Sequence, residues 1–321
     1  MSPLLTVTTP FFALVLCGWL AARQRVMPES AIPGLNAFVL YVALPCMLFR
    51  FGAGTPVLET LNPVLLLVYL LAAAVLVGLV IVTTRAPAVP LKDAAFGALV
   101  VAFPNTGFMG VPLLVALLGP AAAGPAICVL TADLVVTTTA CLALAQAQGR
   151  GGQGLAAAAR PILAGVARNP MPWAIGLGAL FSALGWQLPG PMNAVVGMLA
   201  DAASPVALFT IGAVLWRAGQ HLHHRTPLRR YLPLALAKLL LHPLLVWLLG
   251  LAAQAAGAPL SDFTLMVVVL VAALPSASNA AILAERYGAD TGRVARIIMA
   301  STVLAFGSFT ALAALFGVQP G

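Results

Sequence analysis

Long apolar runs recur along almost the whole chain, and they constrain its fold more than any other feature. Many approach the roughly 20 residues that an α-helix needs to cross a hydrocarbon core about 30 Å thick. Lipid offers no hydrogen-bond partners, so a spanning segment must satisfy its backbone within a helix or a closed barrel. The runs are continuous in Leu, Ala and Val and lack the alternation of barrel strands, which excludes a barrel. We therefore predict an all-α integral membrane protein.

Composition excludes several function classes. Only 7% of the residues are charged and the mean hydropathy is +1.05, whereas soluble domains carry about 25% charged residues. The net charge of +8 could suggest a nucleic-acid partner, but an excess of Arg also fixes membrane orientation. We favour the second interpretation and expect lipid, not nucleic acid, around the chain. The sequence has no HExxH, GxSxG or Walker A motif, so we predict neither an enzyme nor a cofactor.

The apolar runs predict ten transmembrane helices. They fall at about 4–22, 32–51, 63–84, 92–117, 124–147, 169–186, 191–216, 230–253, 262–286 and 291–317. The odd-numbered connections and their flanks hold 14 of the 16 Lys and Arg residues. Of the other two, Arg50 is on the opposite side and Lys238 lies within a span. By the positive-inside rule, both termini lie outside the plasma (inner) membrane.

Ten helices divide into two halves of five. Because each half crosses the membrane an odd number of times, the two halves have opposite orientations. The predicted units are residues 1–147, a cytoplasmic linker 148–168 and residues 169–321. Residues 45–53 match 205–213 in Pro, Leu, Phe, Gly and Ala at an offset of 160. The Phe103-Pro104 pair aligns with Leu274-Pro275 at an offset of 171. An inverted repeat explains these matches, and chance similarity of Ala- and Leu-rich helices is the alternative.

The fourth and ninth predicted helices each have a proline followed by small polar residues in mid-membrane. Proline breaks the helical ladder, and unwound backbone at that depth is tolerated where it lines a cavity. Paired broken helices near the midplane point to a transporter's binding site, and half-helix N-termini favour an anionic ligand. The alternative is two proline kinks that the polar side chains merely cap. The candidate substrate-binding residues are Pro104, Asn105, Thr106, Pro275, Ser276, Ser278 and Asn279.

Ionisable residues within the spans are a second set of candidates. Asp133 and Asp201 lie near the middle of the fifth and seventh predicted helices. Intramembrane carboxylates are costly and mark ion or proton pathways, although a hydrogen-bonded helix interface is the alternative. Lys238 either pairs with one of them or extends to the membrane surface. His242 could relay protons or be a core histidine. The residues His221, His223 and His224 lack complete metal-ligand spacing, so we predict no metal site.

The motifs described above also resemble those of the auxin efflux carrier family, which includes bacterial malonate and malate permeases and, more distantly, the plant PIN auxin carriers. The resemblance covers essentially the whole chain. Its most specific parts are the stretches 103–112 and 273–288. The resemblance also rests on residues 44–49 and 199–202.

The resemblance implies that the two broken helices cross, and that a scaffold faces a moving transport domain. Small organic anions would bind at the crossover, coupled to a proton or sodium gradient or uncoupled. In the plant carriers a helix-4 asparagine beside the crossover proline contacts the substrate carboxylate, a role that falls on Asn105 here. The residues Ser276, Ser278 and Asn279 depart from the plant pattern, so substrate identity does not carry over.

The leading hypothesis is a secondary transporter of a malonate-like carboxylate working by alternating access. Two alternatives stay open: an exporter of a hydrophobic metabolite or amino acid, and a non-transporting membrane sensor. The sequence leaves open the substrate, the direction of transport, the coupling ion and whether the chain forms a homodimer.

Overall fold

The computed structural model describes residues 3–54, 62–87, 89–146, 169–220 and 226–318. Apart from short turns and two isolated antiparallel bridges, these residues are helical. The main helices are α1 Pro3–Arg23, α2 Ala31–Gly54, α3 Pro63–Thr84, α4 Leu91–Ala102, α5 Thr106–Leu118, α6 Pro120–Gln146, α7 Pro170–Leu184, α8 Gly190–Gln220, α9 Leu232–Ala255, α10 Asp262–Ala272, α11 Asn279–Arg286 and α12 Thr291–Leu315. The predicted linker 148–168 and the three histidines at 221, 223 and 224 lie outside the described residues.

Seven of these helices are long and apolar enough to cross a membrane, counting only the part of the chain that the structure describes. They are α1, α2, α3, α6, α8, α9 and α12. Helices α5, α7 and α10 are apolar but shorter. The predicted all-helical membrane class is confirmed. The fourth predicted helix consists of α4 and α5, and the ninth consists of α10 and α11, with a break between the two pieces of each pair.

The outer surface is apolar, as expected for a protein that contacts lipid. On α3, Leu67 is 67% exposed, and Leu71 and Val75 are also exposed, one and two turns further on. The opposite face of the same helix is buried and includes Tyr69 and Leu76. Such a surface would be unstable in water, because exposing apolar area costs about 25 cal/mol per Å².

The helices form two groups. The first consists of α1, α2, α7 and α8, which pack mainly against one another. Helices α3, α4, α6, α9 and α10 form the centre of the second group, and α11 and α12 pack against them. Glycines let α1 and α8 approach closely: a Cβ on Gly212 would lie 1.9 Å from the Val15 carbonyl oxygen. The candidate binding residues lie in the second group, next to the seam between the two.

Candidate functional site

Both breaks in the helices occur at the predicted prolines. Helix α4 ends at Ala102, and Phe103 adopts an extended conformation with φ −103° and ψ 97°. This is the backbone region that a following proline, here Pro104, imposes on the residue before it. Helix α10 ends at Ala272, shortly before Pro275. The prolines therefore end two helices inside the protein, where the freed backbone groups need other partners.

The two breaks satisfy each other's backbone. The Asn105 N–H donates to the Pro275 carbonyl oxygen at 2.8 Å, and the Ala277 N–H donates to the Phe103 carbonyl oxygen at 2.9 Å. These bonds form a short antiparallel bridge between Pro104 and Ser276. We call the two bridged segments, residues 103–106 and 273–279, the crossover. The bridge explains how irregular backbone is stable there although it is buried.

The crossover places several candidate side chains around one small cavity. Pro104, Asn105, Ser278 and Asn279 line it, and its volume of about 20 Å³ is close to that of a single water site. Asn105 is 5% exposed and Ser278 is 8% exposed. Within the described chain, the Asn279 Oδ1 is buried without a hydrogen-bond partner. The cavity thus presents amide and hydroxyl groups of the kind that hydrogen-bond a carboxylate.

Three further candidates, Thr106, Pro275 and Ser276, belong to the crossover but do not line its small cavity. Thr106 and Pro275 are buried, and neither lines the small cavity. The Ser276 N–H donates to the Ser301 Oγ of α12 at 3.1 Å, which ties the second break to that helix. Ser301 was not predicted from the sequence, where nothing separates it from the other small polar residues of α12.

A buried polar cluster lies beside the crossover and contains three of the predicted ionisable residues. Asp133 is fully buried, and its carboxylate accepts hydrogen bonds from the Tyr69 hydroxyl at 2.7 Å and the Thr137 hydroxyl at 2.9 Å. Lys238 is also fully buried, so it does not extend to the membrane surface. Its Nζ lies 3.0 Å from the His242 Nδ1. We call Tyr69, Asp133, Thr137, Lys238 and His242 the buried polar cluster.

The buried polar cluster is connected to the crossover through α10. The Lys238 Nζ donates to the carbonyl oxygen of Ala272, the last residue of that helix, at 2.7 Å. Lys238 and Asp133 are close enough to interact electrostatically. Both residues belong to π-helical segments, Asp133–Thr137 and Ala237–Leu241, and π-helical turns are frequent at functional sites. One sequence signal could have indicated Tyr69, because it is the sole hydroxyl-bearing residue in α3 before its last turn.

Asp201 has a different environment. Its Oδ1 lies 2.7 Å from the Arg50 Nη1, in an ion pair whose Asp201 side chain is 71% exposed and whose Arg50 side chain is 41% exposed. The pair joins α2 to α8 within the first group of helices. The structure therefore brings Asp133 and Lys238 together and leaves Asp201 apart from them.

Known proteins match this sequence over nearly its whole length. A family model described as "Membrane transport protein" matches residues 4–312. A protein of Rhizobium meliloti named "Putative malonate transporter" is 29% identical over 97% of this chain and 95% of its own length. An Escherichia coli K12 protein named "Uncharacterized transporter YfdV" is 26% identical over 92% of both chains. An uncharacterized transporter of Methanothermobacter thermautotrophicus is 28% identical over 91% of both chains.

These matches agree with the resemblance drawn from the proline motifs, because they span both motifs and nearly all the sequence between and around them. The family and the relatives are transporters, in keeping with a chain of apolar helices. The chain belongs to the membrane transport protein family.

Proposed function

We propose that this protein is a secondary transporter that carries a small carboxylate, of the size and charge of malonate, across the inner membrane. The observation that carries this proposal is the crossover, where two broken helices bring Asn105, Ser278 and Asn279 around one buried cavity. This cavity has to widen from its volume of about 20 Å³ to admit the anion. Broken helices that meet inside a membrane protein are the usual location of a transporter's binding site.

The chemistry of the cavity supports a carboxylate. Asn105 and Asn279 can donate amide N–H groups and Ser278 can donate a hydroxyl, while no acidic residue lines the cavity in the described chain. Helix α11 begins at Asn279, and the positive end of a helix dipole favours an anion. The name of the Rhizobium meliloti relative is consistent with malonate, at 29% identity.

We propose a topology of ten crossings in two inverted halves, with both termini outside. It counts α4 with α5 and α10 with α11 as one crossing each, and it follows the distribution of basic residues along the sequence. The two groups of helices and the seam between them support alternating access, in which one group moves against the other.

We propose further that the buried polar cluster couples transport to the proton gradient. Asp133 and Lys238 are the candidate coupling residues. Lys238 bonds α10, which leads directly to the crossover, and Asp133 lies close enough to Lys238 to interact electrostatically with it. The Lys238 ammonium bonds the Ala272 carbonyl oxygen, so that oxygen is not free to bind a Na⁺ ion. We leave Asp201 out of the coupling site because it is paired with Arg50 on an exposed face.

The proposal is tested by uptake of radiolabelled malonate into proteoliposomes under an imposed pH gradient or an imposed Na⁺ gradient. We expect accumulation with the pH gradient in the wild type and at least a tenfold loss of uptake in Asn105→Ala, since about 1.4 kcal/mol of binding corresponds to a factor of ten. Asn193→Ala is the matched control, because Asn193 is exposed on α8. It should transport like the wild type.

Two results would contradict the proposal. Equal uptake by Asn105→Ala and the wild type would remove the crossover as the binding site. No uptake of any short carboxylate by the wild type would favour the export of a hydrophobic metabolite or amino acid.

A further inference from the structure

A second, much larger cavity lies in the seam between the two groups of helices. Its volume is about 820 Å³. The first group contributes residues of α2 and α8 to its walls, and the second contributes residues of α11 and α12. We call this cavity the vestibule.

The vestibule runs from the crossover toward the basic end of the molecule. Ser278 lines both the vestibule and the small crossover cavity. Glu285, near the other end of α11, is also in its wall, about 10 Å further along the helix axis. The ends of α8 and α11 and the beginnings of α2 and α12 surround that outer part. In the proposed topology this is the cytoplasmic side.

Two side chains give the vestibule its charge. Among the described lining residues, Arg217 of α8 and Glu285 of α11 are the charged ones. Arg217 is half-buried near the end of α8. Within the described chain it has no ion pair or side-chain hydrogen bond, and the same holds for Glu285. The two residues belong to different groups of helices and carry opposite charges.

A guanidinium of this kind is suited to an anion. Its planar set of N–H donors can bind a carboxylate through two parallel hydrogen bonds, and such charge-assisted bonds are stronger than neutral ones. Asn36 of α2 lines the same cavity and adds an amide donor. Arg217, which has no partner among the described residues, lies in a cavity that leads to the crossover. It therefore offers an anion a first binding position on its way to Asn105.

We propose that the vestibule contains a carboxylate-binding site centred on Arg217, which holds the transported anion on the basic side of the membrane before it reaches the crossover. The inference rests on the proposed function for the identity of the ligand. Glu285 opposes binding at this site, because its carboxylate faces the same cavity and repels the anion. The position of Arg217 makes it a specificity-determining residue that favours anions over neutral molecules on this side.

The test is a cysteine-protection experiment with the full-length protein in inside-out membrane vesicles. Ile282→Cys is introduced into a variant whose four native cysteines are replaced, because Ile282 is exposed and lines the vestibule. The rate of labelling by a membrane-impermeant maleimide is measured against malonate concentration. Malonate should slow the labelling, whereas malonamide, which has the same shape but no charge, should not.

Substitutions then assign the effect to Arg217. Arg217→Gln should raise the half-protecting malonate concentration about tenfold, the size expected for losing one charge-assisted pair. Arg217→Lys should lie between it and the wild type. Glu285→Gln should lower that concentration roughly threefold, because a like charge in a partly solvated cavity contributes less than 1 kcal/mol. Unchanged protection in Arg217→Gln would overturn the proposal.

The Asn105→Ala variant separates this proposal from the proposed function. Protection that persists in Asn105→Ala supports an independent site in the vestibule. Protection that disappears there would mean that malonate acts from the crossover, and it would overturn the vestibule site. If Asn105→Ala transports normally while protection still depends on Arg217, the crossover proposal fails and the vestibule site stands.

Discussion

At the scale of single residues, the buried polar cluster shows how a membrane interior holds charge. Asp133 and Lys238 have no contact with solvent, and each is held by hydrogen bonds from or to neighbouring helices. An isolated charge at this depth would cost several kcal/mol, so each residue depends on its partners.

We predict that the two buried charges are energetically coupled. Lys238→Met should lower the free energy of unfolding by about 3 kcal/mol, because it leaves a buried carboxylate uncompensated. The double variant Lys238→Met with Asp133→Asn should recover part of that loss, because no charge is then left buried. The measurement is denaturant unfolding in detergent for the wild type, both single variants and the double variant.

The control is Arg85→Met, a cation outside the cluster and close to the end of α3. It should change stability by less than 1 kcal/mol. Additive effects of the two cluster substitutions would mean that Asp133 and Lys238 do not interact.

The ionisable residues of the buried polar cluster were predictable from the sequence, but their hydrogen-bond partners were not. A charge within an apolar run is visible by inspection, which is why Asp133 and Lys238 were candidates. Their partners Tyr69 and the Ala272 carbonyl come from α3 and α10, far away along the chain. Such contacts depend on how the helices pack, and a single sequence does not contain that information directly.

At the scale of helices, the breaks at Pro104 and Pro275 were predictable because proline acts locally. The hydrogen bonds that join the two breaks were not, because they connect segments about half a chain apart and neither segment has a strand pattern. The close approach of α1 and α8 also went unpredicted. Glycines are frequent in membrane helices, and the sequence alone does not separate those that pack from those that face lipid.

The packing of α1 against α8 gives a prediction with an internal control. Gly212→Ala should destabilise the protein by about 2 kcal/mol, because its Cβ would lie 1.9 Å from the Val15 carbonyl oxygen and the helices would have to separate. Gly197→Ala in the same helix meets no heavy atom within 4 Å. It should be neutral or slightly stabilising, since Ala favours a helix over Gly.

The melting temperature of each variant in the same detergent is the measurement. A clear decrease for Gly212→Ala and none for Gly197→Ala is the expected pair of results. Equal melting temperatures would show that the two helices are not in the close contact described here.

At the scale of the whole molecule, the basic residues predict which end faces the cytoplasm. On a cysteine-free background, Ala256→Cys lies in the connection between α9 and α10, on the predicted outer side. Gln24→Cys lies after α1, on the predicted inner side. An impermeant maleimide should label Ala256→Cys in intact cells and Gln24→Cys only after the membrane is opened. The reverse pattern would place the vestibule on the outer side.

The whole-molecule arrangement also explains why membrane class was easier to predict than mechanism. Apolar runs and proline motifs are local, so the sequence alone is enough to indicate an all-helical membrane protein. The seam, the vestibule and the grouping of helices arise from contacts between distant segments. They give the crossover a route to one side of the membrane, which a transporter requires.

The most direct test of the central claim, that a small carboxylate binds at the crossover, is thermal stability of the purified protein in detergent. A ligand that binds the folded state raises the melting temperature by mass action. We predict that malonate raises the melting temperature of the wild type and of Asn193→Ala equally, and that Asn105→Ala shows a clearly smaller increase, which is the part contributed by the vestibule. An increase of equal size in Asn105→Ala would contradict the account, since the carboxylate would then bind somewhere other than the crossover.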